Sequence, residues 1–260
     1  MNLILPELLK ERPANADVVL SASQLDLFGN QCERKWAFKY IAKLPTPQHP
    51  SAKLGSDVHT VLEYWLKHAV PPPINDPFYG RAARIAARMI PHLPAPGTGQ
   101  VENRNIHLRS RWGHVYVVII DWIGIFQGWP TIIDHKTTGD FQYAKTQTSL
   151  HWDVQAQLYA LAGFLGFGVD ELLLFWDYAC TKGRDAETKP VKTRVSLPVV
   201  LEKFEQVIEP TAAQMIAHRR AATPPMSFPM MFASAFSISA QPVVSVVSPI
   251  QPQRLSWSRW

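Results

Sequence analysis

The spacing of hydrophobic residues changes near residue 100, and this change divides the chain into two parts. Before that point, apolar positions recur at helical spacing between proline clusters such as TPQHP and PPP. After it, the segments IHLRSRW, VYVVIIDWIGIF and TIIDHKTT are rich in β-branched and aromatic residues, which is typical of strands. A helical pattern, the strand patterns ELLLFWDYAC and KTRVSL, and a last helix over 199–220 follow.

Four helices are predicted before these strands. Ser21 and Ser23 are candidate N-caps of the first helix, and CERKWAFKYIAKL indicates the second. Ser56 is the candidate cap of the third helix, which runs to about Ala69 and is ended by three prolines. The fourth helix is predicted over 78–93.

The order of these elements predicts an α/β fold, with a central mixed sheet of about five strands flanked by helices. The first three strands are predicted to form an antiparallel meander. We assign 21–220 to one domain, with a helical part at 21–95 and a sheet core at 100–220.

The two ends of the chain differ from this domain. Residues 1–20 are interpreted as an N-terminal leader that ends in a short strand at Val18–Leu20. Residues 221–260 contain six prolines and no acidic residue, so a poorly ordered, proline-rich tail is expected there.

Composition narrows the class of protein. Hydrophobic residues make up 47% of the 260 residues, enough for one sizeable core, and the net charge of +5 suits a polyanionic partner without establishing one. No apolar run reaches the roughly 18 residues that span a bilayer, and the N-terminus does not resemble a signal peptide. Cys32 and Cys180 form no CxxC pattern, which fits a reducing compartment. We therefore expect a cytoplasmic protein that does not bind membranes.

Two aspartates occupy matching positions in the first predicted hairpin. Asp121 and Asp134 lie six residues either side of Gln127-Gly128, so a turn there places them opposite each other on neighbouring strands. Cross-strand neighbours have Cβ atoms roughly 5 Å apart, and two carboxylates at that distance repel each other unless a cation lies between them. Hard divalent cations such as Mg²⁺ bind such oxygens. The alternative is that both acids are solvent-facing strand residues.

Lys136 follows Asp134 at the spacing that puts both side chains on one face of a strand, while His135 points away. An ammonium group beside a metal-binding carboxylate can orient a water and stabilise charge that develops on a phosphate. The peptide carbonyl of His135 is a candidate further metal ligand. Asp-x-Lys is a common pattern, but Asp121 and Asp134 interrupt strongly apolar strands, where an unpaired charge is costly.

Three helical residues are candidates for the same site. His59 shares a helix face with Leu62 and Leu66, so it points inward. It is either a satisfied core histidine or a nitrogen ligand, which would suit Mn²⁺ as well as Mg²⁺. Gln155 and Tyr159 share another helix face, where they either pack as ordinary amphipathic residues or hold a nucleic-acid backbone or the lysine.

The second predicted helix interleaves basic and aromatic side chains, a combination that suits phosphate contacts and base stacking on single-stranded nucleic acid. These candidate DNA-binding residues are Arg34, Lys35, Trp36, Lys39 and Tyr40. The alternative is an amphipathic helix with a basic solvent face.

Four ordered stretches together resemble the RecB-like branch of the PD-(D/E)XK nuclease superfamily, which includes CRISPR-associated RecB-like exonucleases. The stretches are LSASQLDLFGNQCERKWAFKYI, KLGSDVHTVLEYWL, IIDWIGIFQGWPTIIDHKTT and DVQAQLYALAG, between about residues 19 and 180. The resemblance implies a restriction-endonuclease-like core. It also implies metal ligands at His59, Asp121 and Asp134, a catalytic lysine at Lys136, and an accessory motif at Gln155 and Tyr159.

Two further features follow from the resemblance. Glu102 resembles an acidic residue often found before the sheet and is an additional candidate for the site. Many relatives hold an iron–sulfur cluster through four cysteines. Cys32 matches the first of these, but 221–260 contains no cysteine, so no cluster is expected.

The resulting hypothesis is a DNA exonuclease that hydrolyses phosphodiester bonds with Mg²⁺ or Mn²⁺, in DNA repair, recombination or phage DNA processing. The expected partner is DNA, at ends or as single strands, in the cytoplasm of a bacterium or of a phage-infected host cell. No GxxxxGK[ST] loop is present, so a helicase or recombinase would be a separate partner. The alternatives are a catalytically inactive nuclease-fold module that binds DNA or docks a partner, and a scaffold protein with an incidental Asp-x-Lys strand.

Overall fold

A computed structural model describes residues 5–14, 16, 18–47, 49–183 and 186–222, without the side chains of residues 103–105. The chain divides into two units, Met1–Thr223 and Pro224–Trp260. The second unit lies outside the described residues, and so does the predicted tail from residue 223 onward. Within the described part, no helix combines the length and the apolar character needed to cross a membrane.

The described strands form a single mixed sheet. They are β1 (Glu7–Leu9), β2 (Val19–Ser21), β3 (Gly99–Arg109), β4 (Val115–Phe126), β5 (Trp129–Thr138), β6 (Glu171–Cys180) and β7 (Thr188–Ser196). Their order across the sheet is β1-β3-β4-β5-β6-β7, and β2 pairs with β4. The β2–β4 and β5–β6 pairs are parallel and the others are antiparallel. The predicted α/β class, mixed sheet and β3–β4–β5 meander are confirmed.

The sheet has two short strands beyond the five that form its centre, and both come from the segment interpreted as a leader. β2 corresponds to the strand expected at Val18–Leu20, shifted by one residue. β1 was not predicted, because three residues are too few to show an alternating pattern. It pairs with the end of β3, where Leu8 lies opposite Leu108.

Helices cover both faces of the sheet. They are α1 (Ala22–Asp26), α2 (Glu33–Trp36), α3 (Pro50–His68), α4 (Gly80–Met89), α5 (Gln147–His151), α6 (Val154–Phe167), α7 (Leu197–Lys203) and α8 (Glu209–Ala222). Turns of π-helix follow α1, α2 and α7, at Leu27–Gln31, Ala37–Ile41 and Phe204–Ile208. Short 3₁₀ turns lie at Ile90–His92 and Phe141–Tyr143.

Two hydrophobic cores lie on opposite faces of the sheet. Ile132 of β5 packs into the larger core together with Leu158 of α6. The next residue, Ile133, packs into the smaller core with Val58 of α3 and Ala86 of α4. Successive residues of a strand point to opposite faces, so α6 covers one face and α3 and α4 cover the other.

Helix α3 begins earlier than predicted, and the expectation that Ser56 caps it is wrong. His49 is the N-cap, because its ring Nδ1 accepts a hydrogen bond from the Ser51 N–H at 3.3 Å. Pro50 takes the first helical position, where its missing N–H costs no hydrogen bond. His59 therefore lies in the middle of α3 rather than in its first turn.

Strand β4 borders a gap in the sheet. β3 pairs along one side of β4, whereas β2 and β5 share the other side. β2 pairs with residues 115–117 and β5 with residues 122–126, so 118–121 have no strand partner on that side among the described strands. The gap ends at Asp121, one of the predicted site residues.

Candidate active site

The β4–β5 hairpin sets the two predicted aspartates across from each other. In its turn, Gln127 and Gly128 have positive φ angles of 54° and 80°, as two-residue hairpin turns require. The last pair of the ladder is Trp122 with Ile133. One further step along both strands sets Asp121 opposite Asp134, which is the register that the sequence predicted.

Beyond the last pair of this ladder, the side chain of Asp121 takes the place of a backbone partner. Its Oδ2 accepts a hydrogen bond from the main-chain N–H of His135 at 2.7 Å, in a position that is only 7% exposed. The alternation of side chains along β4 is also interrupted here. Residues two positions apart on a strand normally point to the same face, but Ile120 packs in the larger core and Trp122 in the smaller one. Such irregularities re-aim side chains next to active sites.

His59 meets Asp121 from the face covered by α3 and α4. Its Nδ1 lies 3.4 Å from Asp121 Oδ2, and 31% of its side chain is exposed. The helix lies close to β5 because Gly55, one turn before His59, has no side chain; a Cβ there would be 2.8 Å from Thr137 Oγ1. His59 therefore borders an open cleft beside an acid, rather than lying enclosed in the core.

A polar network joins four predicted site residues, which are Asp134, Lys136, Gln155 and Tyr159. Lys136 Nζ lies 2.5 Å from Asp134 Oδ2 and donates to Gln155 Oε1 at 3.1 Å. The Gln155 amide donates to Asp134 Oδ1 at 3.2 Å and to the Tyr159 hydroxyl at 2.6 Å. Tyr159 donates in turn to the carbonyl of Ile119. Asp134 Oδ2 makes no hydrogen bond of good geometry, so its contact with Lys136 is chiefly one of charge.

Glu102 brings a third acidic residue to the same level of the sheet. Asn103 of β3 pairs with Ile120 of β4, so the register sets Glu102 opposite Asp121, on the side away from β5. Glu102 has a positive φ of 51°, next to the point where the β3–β4 register shifts. A distorted strand therefore presents this acid to the site.

Ligand atoms of His59, Glu102 and Asp121 all lie within 4.8 Å of one another. Two carboxylates and one imidazole suit Mg²⁺ or Mn²⁺, so the residues present fit a divalent ion. Asp134 is not among these three residues, and its oxygens contact Lys136 and Gln155. The sequence predicts Asp134 as a ligand and Glu102 only as an additional candidate, whereas the structure groups Glu102 with His59 and Asp121.

Burial and neighbouring charges shift the titration of the site residues. Burial raises the pKa of Asp121, but the hydrogen bond and charge of His59 outweigh it and bring the pKa to about 2. Burial raises the pKa of Asp134 to about 6, against the charge of Lys136. Burial lowers the pKa of His59 and of Lys136, but their acidic partners outweigh it, and both pKa values are raised. Asp121 is thus an anion and Lys136 a cation at neutral pH.

His135 points to the opposite face from Asp134 and Lys136, as strand alternation predicted. Its ring lies edge-on to the ring of His59, with centroids 5.9 Å apart. The ring is buried, and neither nitrogen has a hydrogen-bond partner. Burial lowers the pKa of His135 to about 4, so the imidazole is neutral. A role for its carbonyl as a metal ligand stays a prediction.

The predicted DNA-binding helix presents only part of its candidate set at the surface. Arg34, Lys35 and Lys39 are exposed, and Tyr40 is half-buried. The stacking role proposed for Trp36 is wrong, because the indole is 1% exposed and packs against Phe28 at a centroid distance of 5.0 Å. The helical pattern alone did not reveal which side faces the core.

Two clefts meet at Ile119 and Lys136. The first has a volume of about 510 Å³ and is bordered by His59 and Glu102. The second has a volume of about 470 Å³ and is bordered by α1 and by Gln155 of α6. The sequence did not predict the second cleft, because its walls come from segments far apart in the chain.

Comparison with known proteins adds to this geometry. The model of one protein family, described as the PD-(D/E)XK nuclease superfamily, matches residues 19–226, which include strands β2 to β7 and the whole site. The chain belongs to this superfamily. As a PD-(D/E)XK nuclease it is a phosphodiester hydrolase that uses divalent metal ions.

Two other comparisons concern curated proteins and solved structures. No curated protein matches the sequence. Among solved structures, the crystal structure of SSO0001 aligns with a TM-score of 0.37 and 15% identity, over 76% of this chain and 78% of that chain.

Proposed function

We propose that this PD-(D/E)XK nuclease is a DNA exonuclease of the RecB-like branch. The observation that carries the proposal is the position of the His59–Glu102–Asp121 group. This group lies beside the Asp134–Lys136 pair, at the gap in the sheet next to β4. One cleft exposes the imidazole, Glu102 and the lysine together, so a phosphodiester in it would meet both the metal ligands and a cation.

His59, Glu102 and Asp121 would hold a Mg²⁺ or Mn²⁺ ion, which supplies an activated water and stabilises negative charge on the phosphate. Asp134 and the carbonyl of His135 are proposed as further ligands. The hydrogen bond from the His135 N–H keeps Asp121 in place next to β5.

Lys136 acts as a cation in this proposal. The charge of Asp134 raises its pKa despite burial, so the ammonium keeps its proton at neutral pH. It is then suited to donate a hydrogen bond to a phosphate oxygen or to hold the attacking water, and unsuited to accept a proton. Gln155 contacts both Lys136 and Asp134, and Tyr159 ties Gln155 to the carbonyl of Ile119, so this pair is positioned by the helix behind it.

DNA ends or single strands are the proposed substrate. Nothing in the sequence resembles a base-reading module, which favours digestion from ends over cutting at a defined sequence. A role in repair, recombination or phage DNA processing is part of the proposal, with any helicase or recombinase supplied as a separate partner.

Digestion of end-labelled linear DNA and of covalently closed circular DNA, each with Mg²⁺ or Mn²⁺, tests the proposal. We expect progressive loss of the linear substrate and survival of the circle. Cleavage of both at equal rates would show an endonuclease, and cleavage of neither would contradict the proposed activity.

Variants connect the activity to the site. We expect Asp134→Asn and Lys136→Ala to lose at least 100-fold in rate, whereas Lys182→Ala, a change at a lysine whose side chain is 72% exposed, keeps the wild-type rate. Titration with Mn²⁺ separates an active enzyme from an inactive nuclease-fold module, because a decayed site would bind no ion.

A further inference from the structure

The second cleft lies on the other side of Lys136 from His59, Glu102 and Asp121, the proposed metal-binding group. Ser21 and Ser23 line one side of it, and Lys145 and Asp153 line another. Its volume of about 470 Å³ falls within the range of small-ligand sites, which is roughly 300–1,000 Å³. A nucleic-acid strand whose scissile phosphate contacts Lys136 from the first cleft therefore has space for its next nucleotide in the second cleft.

Lys145 is held in place at the wall of this cleft. Its Nζ lies 2.8 Å from Asp153 Oδ2, and its main-chain N–H donates to the Tyr178 hydroxyl at 3.2 Å. The side chain is still 41% exposed. An ammonium group has three donors, and the contact with Asp153 uses one of them. Lys145 is therefore an oriented cation with donors to spare.

The two carboxylates of this cleft are already engaged. Asp153 is the N-cap of α6, where its Oδ1 accepts from the N–H groups of Gln155 and Ala156, while its Oδ2 contacts Lys145. The oxygens of Asp26 accept from the side-chain amides of Asn30 and Gln31 at 3.0 and 2.6 Å. The lining also contains two lysines, Lys136 and Lys145, so the negative charges of the two aspartates are balanced and the cleft has no net negative charge that would exclude an anion.

Two serine hydroxyls add further donors. Ser21 Oγ and Ser23 Oγ lie 3.1 Å apart, and Ser21 Oγ also accepts from the Gln24 N–H at 3.4 Å. The contact between the hydroxyls uses one of their two protons. The other proton is available to a ligand in the cleft.

We propose that the second cleft binds the phosphate next to the scissile one on the same strand, through Lys145 and the hydroxyls of Ser21 and Ser23. The inference rests on the proposed nuclease function, since it names how that substrate is held. In this arrangement the chain holds two successive phosphates, one at the metal-binding group and one at Lys145, with Lys136 between them. Lys145 is thus a substrate-binding residue and takes no part in the chemical step.

Two substrates of different length test the inference. An oligonucleotide fills both clefts, whereas bis(p-nitrophenyl) phosphate has one phosphate and reaches only the metal-binding group. We expect Lys145→Gln to raise the KM for the oligonucleotide about fivefold or more, with kcat changed less than twofold and with hydrolysis of the small diester unchanged. Ser23→Ala should act in the same direction, and Lys182→Gln serves as the matched control.

Equal effects on both substrates would overturn the inference, because they would mean that Lys145 acts on the metal-binding group through Asp153 and α6. An absence of any effect on the oligonucleotide would overturn it as well. If the wild-type protein hydrolyses neither substrate, the proposed function has failed.

DNA binding then tests the inference separately. Fluorescence anisotropy of a single-stranded oligonucleotide in EDTA should show weaker binding by Lys145→Gln than by Lys182→Gln. The slope of log K against log salt should fall by about 0.7, the value for one lost phosphate contact on a single strand. Equal affinities and slopes for the two variants would contradict the proposed site even in a protein without activity.

Discussion

The carboxylate of Asp121 accepts a hydrogen bond from the main-chain N–H of His135 at 2.7 Å, so a candidate metal ligand of β4 is hydrogen-bonded to the backbone of β5. That backbone carries Asp134 and Lys136 on either side of His135. The bond stands where the next ladder contact of the hairpin would be, and it is buried. Asp121 therefore has two functions under the proposed mechanism: it would bind the ion, and its hydrogen bond to His135 keeps the end of the hairpin in register.

These two functions can be separated by substitution. Asp121→Asn keeps an oxygen that can accept the His135 N–H but removes the charge. We expect at least a 100-fold loss of nuclease activity and some loss of stability at neutral pH, because the charge contact with His59 is lost in this variant and in Asp121→Ala alike. Asp121→Ala also leaves a buried N–H without a partner, so it should unfold about 1–3 kcal/mol more easily than Asp121→Asn in urea titration. Equal stability of the two variants would show that the hydrogen bond contributes nothing.

Glu102 provides a test of which acids bind the ion. We expect Glu102→Gln to weaken Mn²⁺ binding at least tenfold, because the ligand atoms of Glu102, His59 and Asp121 converge. Glu63 lines the same cleft but pairs with Lys67 at 2.6 Å, so Glu63→Gln is the matched control and should bind Mn²⁺ as the wild type does. Isothermal titration calorimetry measures both. An equal loss in the two variants would mean that the cleft attracts the ion only through its general negative charge.

The part of the site that the sequence predicted depends on local geometry. A turn at Gln127-Gly128 determines the hairpin register, and the register places Asp121 opposite Asp134 without any knowledge of the tertiary structure. The spacing of Gln155 and Tyr159 on one helix likewise determines that they share a face. Such relations follow from the period of a strand or helix, which the sequence displays directly.

The part that was missed depends on how distant segments meet. Glu102 was a candidate through the family resemblance alone, because β3 is distorted beside it and a register shift leaves no periodic signal in the sequence. Trp36 lies on a helix with aromatic and basic residues all round, and only packing against Phe28 shows that its ring is buried. Lys145 borders the second cleft because its loop lies beside the β2–α1 junction, more than a hundred residues earlier in the chain.

Tyr159 is expected to act as a positioning residue. Its hydroxyl contacts the Gln155 amide and the carbonyl of Ile119, and Gln155 in turn holds Lys136. Tyr159→Phe removes both hydroxyl contacts while keeping the ring, so we expect kcat to fall about tenfold, with KM and Mn²⁺ affinity nearly unchanged. Steady-state kinetics and Mn²⁺ titration measure these quantities. A purely structural role would instead lower thermal stability and leave the kcat of the folded protein intact.

A buried carboxylate outside the site gives the fold a dependence on pH. Asp177 of β6 is fully buried, and its Oδ1 lies 3.1 Å from His92 Nδ1. Burial raises the pKa of Asp177 to about 6, although the charges of His92 and Lys192 oppose the shift. His135 is its neighbour on β5 and is neutral where Asp177 titrates, near pH 6, because burial lowers the pKa of His135 to about 4. Asp177 in the folded chain thus keeps its proton to a higher pH than in the unfolded chain.

The sign of the effect follows from this difference. With a pKa of about 6 in the folded state and 3.8 as the ordinary value, the contribution of Asp177 to stability is full below about pH 4 and is lost as the pH rises through about 6. Asp177→Asn resembles the protonated form at every pH. Relative to the wild type, we therefore expect this variant to gain stability between pH 4 and pH 7, by at most about 3 kcal/mol. Urea unfolding of both proteins across this range measures the gain, and a stability difference that does not change with pH would show that Asp177 titrates normally in the folded protein.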